Sequence, residues 1–538
     1  MDLPRTAARV MTLAQNADVG AARALARSAL QQAADEPGLA DWADLAALWY
    51  AAAVTERVGG EQAAMLEATD QCLLAAGRAG SPGWTSNALA LRAVAHVEHG
   101  AIEAALLDLA RSEVALDDCR DAGLRNWAHT GLGCAYIELR LYELALPHFE
   151  AALALQADPV PLPESRAIDL LNLAETRLRW ADELERVRPD AGSDAEAEQL
   201  RAVAHGHAVA ALEVAERTAP DAMVATLRAL VLVSRPRTEA AATVEELRAE
   251  LARPDHLDTL GGRAMLGAAL ARALWRVGCR EEALAEAEAA AEVSEAATDW
   301  QVTASARWLH VEMQAEAGVP GSRSGREYAR LLSRVLWQQR LSSLQGARAA
   351  LDVERMRHTT ALAQRAARED PRTGVGNRRA LDAAFAQLRD AVTDAAADAT
   401  APNATATSLV VVDLDDFKTI NDTHGHVVGD EVLRAVADAL RQAARADDLV
   451  ARLGGDEFVV LAYGTDETNG RQLAARVDAV LRQVEVPTAA GPLRLAASVG
   501  VATAGPGSAV PDLLAQADAS MYAVKAARHR LAREPEGV

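Results

Sequence analysis

An all-α helical-repeat region followed by an α+β domain is the fold this sequence predicts, and three observations predict it. Apolar residues make up 50% of the chain while aromatics are only 4%, an Ala/Leu-rich balance that favours helices. Small and apolar residues recur at helix-pair spacing through residues 1–327. Near residue 409 the pattern changes to short β-branched apolar runs punctuated by glycines and carboxylates, as buried strands require.

The chain has 538 residues, enough for two to four domains with proper cores. A net charge of -22 argues against nucleic acid or an anionic membrane as the main partner. Cys72, Cys119, Cys134 and Cys279 show no metal-ligand spacing and fit a reduced compartment. No apolar stretch reaches the length of a membrane span and the N-terminus lacks a signal pattern, so a cytoplasmic protein is expected.

Repeats emerge when the helices are aligned. Leu132, Gly133 and Tyr136 precede Ala145, Phe149 and Ala152. The same spacing returns in Leu270, Ala271, Leu274 and Gly278, then Ala283, Ala287 and Ala290. A weaker copy is Ala93, His96, Gly100, Ala105, Leu109 and Ser112. A small residue on one helix facing its partner lets the pair pack closely, and stacked pairs bury a continuous core. The pattern resembles tetratricopeptide repeats, with irregular spacing; a generic helical bundle is the alternative. Residues 156–166 and 186–196 read as loops, and Gly318–Ser322 either closes the array or marks a break before its last helices. Residues 328–369 then read as one long connecting helix ending before Pro371. Its loose apolar stripe fits either a coiled-coil dimer or packing back on the last repeat.

Within 370–538, Arg379–Val392 reads as a helix and Thr393–Thr407 as a flexible, low-complexity insertion. A central strand follows from Leu409, delivering Asp413 to its carboxyl end, where sheets bind ligands. Glu431–Arg445 and Asn469–Val484 read as helices, Leu493–Ala502 as a strand and Val510–Arg528 as a closing helix. Between them, Leu449–Leu453 and Phe458–Leu461 form a hairpin with Gly454, Gly455, Asp456 and Glu457 at its tip. Glycines let a turn approach a phosphate, and adjacent carboxylates beside a phosphate call for a divalent cation.

Five segments stand in one order: Asp370 with Thr373-Gly374 and Asn377–Arg379; Asp413–Lys418; Asn421 to Asp430; Gly454–Phe458; and Ser498–Gly500 with Ala517-Asp518, Tyr522 and Lys525. In that order they resemble the GGDEF domain of diguanylate cyclases, the nucleotidyl cyclase-like fold that condenses two GTP into cyclic di-GMP and pyrophosphate. The resemblance implies Mg²⁺, two ions per active site with Mn²⁺ as a substitute, held by Asp413, the Leu414 carbonyl, Asp456 and Glu457. It implies catalytic roles for Asp456, Glu457 and Lys418, with Asp456 as proton acceptor. Asn421, His426 and Asp430 are implied in nucleoside binding, and Lys525 at the terminal phosphates. A carboxylate at 430 can accept from guanine N1–H and its 2-amino group, donors that adenine lacks.

Arg445 and Asp448 match the family's product-binding inhibitory motif, Arg-x-x-Asp, at the family's spacing from the turn. Two positions depart from the family pattern: Arg372 replaces a leucine, and His529 stands where an arginine binds phosphate, flanked by Arg528 and Arg530. The resemblance implies a homodimer, since each site holds one GTP. The repeat region is expected to dock a protein or peptide and regulate the pairing. A rival reading is a non-catalytic receptor for GTP or cyclic di-GMP on a repeat scaffold. Such receptors usually lose acids that this chain retains at 413, 456 and 457.

Overall fold

Helix signals are strong along the first unit. Asp41, Ser81, Asp121 and Asp299 each accept a hydrogen bond from a first-turn amide, offsetting the unpaired N–H groups of a helix start. A computed structural model describes the chain except residues 1, 16–17, 36–40, 156–162, 188–190, 220, 236–239, 254–261, 297–298, 398–405, 489–490, 506–511 and 532–538. The chain forms two compact units, Met1–Arg357 and His358–Val538.

The first unit is helical throughout its described residues. Its helices are α1 (Leu3–Gln15), α2 (Val19–Asp35), α3 (Trp42–Val58), α4 (Gln62–Ala79), α5 (Pro82–Glu98), α6 (Ile102–Asp117), α7 (Ala122–Glu138) and α8 (Tyr142–Leu155). Then come α9 (Pro163–Val187), α10 (Ala191–Thr218), α11 (Asp221–Val233), α12 (Ala240–Leu251), α13 (Gly262–Arg276), α14 (Arg280–Val293) and α15 (Trp300–Glu316). Helix α16 (Ser322–Arg368) is continuous over 47 residues and carries the chain into the second unit.

Consecutive helices pack as pairs, consistent with a helical repeat. At α7–α8 a Cβ on Gly133 would lie 2.6 Å from the Phe149 ring, so the small residue is what admits the phenylalanine. Gly267 on α13 meets Ala290 on α14 in the same way. The loop expected at 186–196 is shorter, because α9 runs to Val187 and α10 begins at Ala191. Of the loop expected at 156–166, residues 156–162 lie outside the described part and Pro163 already opens α9.

The N-terminal half of α16 packs back on the array: Arg330 donates to Glu312 of the last helix, α15, at 2.6 Å, and further along α16 meets the α7–α8 pair. Arg340 is its anchor: fully buried, it donates to the Arg140 carbonyl (2.6 Å) and pairs with Glu143. Its guanidinium also lies over the Trp337 ring at 4.4 Å, a cation–π contact. Leu344 and Ala347 add apolar burial beside it.

The second unit is α+β. It comprises β1 (Gly376–Asn377), α17 (Arg378–Ala397), β2 (Thr407–Leu414), α18 (Phe417–His424), α19 (His426–Ala443), β3 (Leu449–Gly454) and β4 (Glu457–Ala462). It ends with α20 (Glu467–Leu481), β5 (Glu485–Thr488), β6 (Gly491–Arg494), β7 (Ala497–Ala504) and α21 (Leu513–Leu531). Five strands form one sheet in the order β1-β3-β4-β2-β7, antiparallel except for β1 against β3.

All eight residues of β2 are buried, because both of its faces are covered. Val410, Val412 and Leu414 point to a core shared with α19 and α20, while Leu409 and Val411 point to one shared with α17 and α21. This period-2 alternation makes a three-layer sandwich, and the acids gather where β2 ends: Asp413 is still buried, Asp415 is half-buried and Asp416 is exposed.

Four local expectations change. The helix at 379–392 continues to Ala397, since alanine sustains a helix where a flexible insertion was expected. The helix expected from Glu431 begins at His426, with the short α18 before it. The strand expected at 493–502 divides into β6, paired with β5 in a separate hairpin, and β7. The break falls where the Ala496 carbonyl accepts the Asp415 N–H (2.9 Å) and so serves the loop leaving β2. The closing helix begins at Leu513 rather than Val510, and 506–511 lie outside the described residues.

Candidate active site

The β2–β4 register brings the two acidic segments together. Asp413 stands directly opposite Glu457, and the Leu414 N–H donates to the Asp456 carbonyl at 3.3 Å. The tip between β3 and β4 needs Gly455, whose φ is 56°, left-handed backbone that favours glycine. Asp416 just after β2 also sits at φ 56°, a conformation aspartate tolerates better than most residues. That turn starts α18, leaving Lys418 exposed on its first turn.

Carboxylates crowd this edge. Burial pushes the Glu457 carboxyl up, and the charges of Asp518, Asp413 and Asp456 push it further. Burial likewise raises Asp518, against the pull of the Arg378 guanidinium. Lys525, reaching from α21, pairs with Asp413. Burial works to lower the Lys525 ammonium, but Asp413, Asp415 and Asp456 outweigh it and hold it above the usual lysine range.

The crowded carboxylates and the nearby Leu414 backbone are hard oxygen donors, the set that suits Mg²⁺ or Mn²⁺. Among the described residues, no three His, Cys, Asp or Glu side chains converge as a formed metal cluster, Lys525 instead engaging Asp413. The chemistry of the donors fits a divalent cation.

The α18–α19 pair carries the three residues predicted for the nucleoside, Asn421, His426 and Asp430. Asn421 packs on Gly429 so closely that a Cβ there would lie 2.0 Å from its Oδ1. Asp430 follows on α19, and its Oδ1 accepts from Arg372 Nη1 at 3.1 Å. His426 is exposed at the start of α19, with no hydrogen bond to these residues among the described contacts.

Three residues carry positioning roles that sequence reasoning did not assign. Arg452, buried in β3, donates to both oxygens of Asp370 (3.2 and 3.3 Å) and twice to the Gly455 carbonyl (3.0 and 2.6 Å). Asp370 also accepts from the Thr373 N–H and hydroxyl. Burial raises the Asp370 carboxyl, but the Thr373 hydrogen bonds and the Arg452 charge prevail and hold it below the usual range. Asp415 accepts from the Ser498 hydroxyl at 2.8 Å, tying the β2 exit to β7. An arginine at an otherwise apolar strand position was the available signal for the first of these.

Arg445 and Asp448 lie apart from the acids, around an open cleft of about 490 Å³ also lined by Arg365, Arg368 and Arg441. Asp448 accepts from the Arg445 N–H (2.8 Å), closing the turn between α19 and β3. The side chains of Arg528, His529 and Arg530 lie outside the described part.

With the sheet and its acidic edge in place, the comparison with known proteins is decisive. Residues 367–530 match the family described as "Diguanylate cyclase, GGDEF domain". This segment is a GGDEF domain. Over 124 residues the chain is 40% identical to diguanylate cyclase DgcP of Pseudomonas aeruginosa, covering 23% of this chain and 18% of that protein. Over 122 residues it is 42% identical to response regulator PleD of Caulobacter vibrioides, covering 22% and 27%. The chain thus spans under a third of the length of these curated relatives. A solved structure of the coiled coil and GGDEF domain of DgcB from Caulobacter crescentus, in complex with c-di-GMP, is 28% identical. That alignment covers 34% of this chain and 92% of that one, with a TM-score of 0.29. The GGDEF domain accounts for the second unit; the helical array lies before the matched segment. No helix among the described residues is long and apolar enough to cross a membrane.

Proposed function

We propose that this protein is a diguanylate cyclase that condenses two GTP into cyclic di-GMP and pyrophosphate. The observation that carries the reading is the register placing Asp413 opposite Glu457, with Asp456 beside them, within a GGDEF domain. Retention of all three acids favours an enzyme over a non-catalytic receptor.

In this reading Asp413, the Leu414 carbonyl, Asp456 and Glu457 hold Mg²⁺, two ions per site, with Mn²⁺ as a substitute. Bound there, the metal neutralises phosphate charge and eases ionisation of the attacking hydroxyl. Asp456 accepts the 3′-hydroxyl proton as that oxygen bonds to the α-phosphorus of the second GTP and pyrophosphate leaves. Lys418 and Lys525 offset phosphate charge, so Lys525 must exchange Asp413 for the substrate. Asn421, His426 and Asp430 orient the nucleoside, Asp430 taking the N1–H and 2-amino donors of guanine.

We also propose the division into a tetratricopeptide-like docking region (1–327), a connecting helix (328–369) and the catalytic domain (370–538). Two protomers face each other during the reaction, and a protein or peptide on the repeats controls their pairing. Product bound at Arg445 and Asp448 inhibits. The protein works in the cytoplasm. The test is incubation of full-length protein with GTP and Mg²⁺ followed by mass-spectrometric identification of the product. Cyclic di-GMP is expected; tight GTP binding without turnover would place the protein among receptors.

A further inference from the structure

The loop between α16 and β1 brings an arginine to the residue proposed to read the base. Arg372 Nη1 donates to Asp430 Oδ1 at 3.1 Å. The loop is held firmly: Asp370 is gripped by Arg452, which also holds the Gly455 carbonyl, and it accepts from the Thr373 N–H and hydroxyl. The Arg372 N–H adds a bond to Asp370 Oδ1 at 3.3 Å. The guanidinium is therefore delivered to Asp430 from a fixed backbone while remaining open, its side chain 60% exposed and that of Asp430 35%. An ion pair this exposed contributes little to folding. One turn before Asp430, Val427 is 73% exposed, and three-residue spacing puts it on the same face of α19. An arginine–carboxylate pair beside a bare apolar side chain is a surface suited to a flat ring with a polar edge.

We propose that Arg372 determines base specificity, donating to guanine O6 while Asp430 accepts from N1–H and the 2-amino group. This rests on the guanine-reading role proposed above for Asp430. The three groups run in line along the Watson–Crick edge as acceptor, donor and donor. The carboxylate covers the two donors, and the guanidinium beside it meets the acceptor. Adenine presents an amino donor at the O6 position, so the arginine would face a second donor and the carboxylate an unprotonated ring nitrogen. Arginine thus adds rejection of adenine to recognition of guanine.

The experiment compares GTP, ITP and ATP as substrates of full-length protein and of its Arg372→Met, Arg372→Lys and Asp430→Ser variants. Equilibrium binding of each nucleotide is measured alongside turnover, and circular dichroism verifies folding. Loss of one charge-assisted hydrogen bond predicts that Arg372→Met lowers kcat/KM for GTP about tenfold, mostly through KM. Its GTP-over-ATP preference should fall by at least as much, with Arg372→Lys recovering part of it. The GTP-to-ITP ratio should not change, because the two share O6 and differ only at the 2-amino group. Asp430→Ser should alter that ratio. If Arg372→Met uses GTP as well as or better than wild type, the arginine is a competitor for Asp430 and the proposal falls. If Asp430→Ser also leaves base preference intact, the guanine-reading role of Asp430 fails with it.

Discussion

Replacing Arg452 with methionine tests the strut that fixes the catalytic turn. The substitution keeps length and apolar bulk but removes the guanidinium, leaving a partly buried Asp370 carboxylate and the Gly455 carbonyl short of partners. Breaking a buried ion pair from one side costs about 3–5 kcal/mol. Asp370 keeps its two Thr373 hydrogen bonds, so about 3 kcal/mol is the expected loss. A domain stable by roughly 5–15 kcal/mol still folds after that loss. All 9 tryptophans lie at or before Trp337, in the first unit, so their fluorescence reports only on the helical array. Amide exchange in β2 and β4 reports on the sheet. The expected result is exchange faster by about a hundredfold in those strands with an unmoved tryptophan transition in urea. Acid should narrow the difference. The folded Asp370 carboxyl lies below its unfolded value, so its contribution is present above pH about 3.9 and fades as pH falls through the folded value. Unchanged strand exchange at neutral pH would refute the strut, as would a gap that widens in acid.

Three further outcomes are expected. Asp456→Ala should abolish cyclic di-GMP synthesis while leaving thermal unfolding within about 1 kcal/mol of wild type, since a hairpin-tip carboxylate adds little to a core; retained activity would remove Asp456 from the catalytic set. Arg445→Ala should raise accumulated product without raising the initial rate, and isothermal titration should show weaker cyclic di-GMP binding; equal affinity would discard the inhibitory site. Gly133→Ala forces a Cβ to 2.6 Å from the Phe149 ring and should destabilise the helical array by about 1–3 kcal/mol, seen as an earlier tryptophan transition; an unshifted midpoint would mean that α7 and α8 separate at no cost.

The sequence made the acidic edge legible because strand and turn chemistry is local. A run of Val410–Val412 ending in Asp413, and two glycines before Asp456, carry their meaning within a few residues. What was not legible depended on distant partners. Arg340 reads as a surface residue on a polar helix, and only the packing of α16 on α7–α8 explains its burial. The role of Arg452 likewise depends on Asp370, 82 positions away. The apolar run near 493–502 gave no sign of its division, because the carbonyl that interrupts it is spent on Asp415 across the sheet. Arg372 was visible as a departure from the family pattern, yet its target appeared only with the fold.

At Gly500, little but backbone separates α21 from β7: an added Cβ would fall 2.2 Å from the Met521 nitrogen and 2.4 Å from the Ala517 carbonyl oxygen. The height of the helix above the sheet is thus set by atomic radii rather than by interlocking side chains. For protein engineering this separates two sides of one helix. Tyr522, 69% exposed on the outward side, is a natural point for a fluorophore or cross-linker, because exchanging it leaves that seat intact. Residue 500 offers no such freedom, and any side chain placed there would lift Lys525 away from Asp413 along with the helix that carries it.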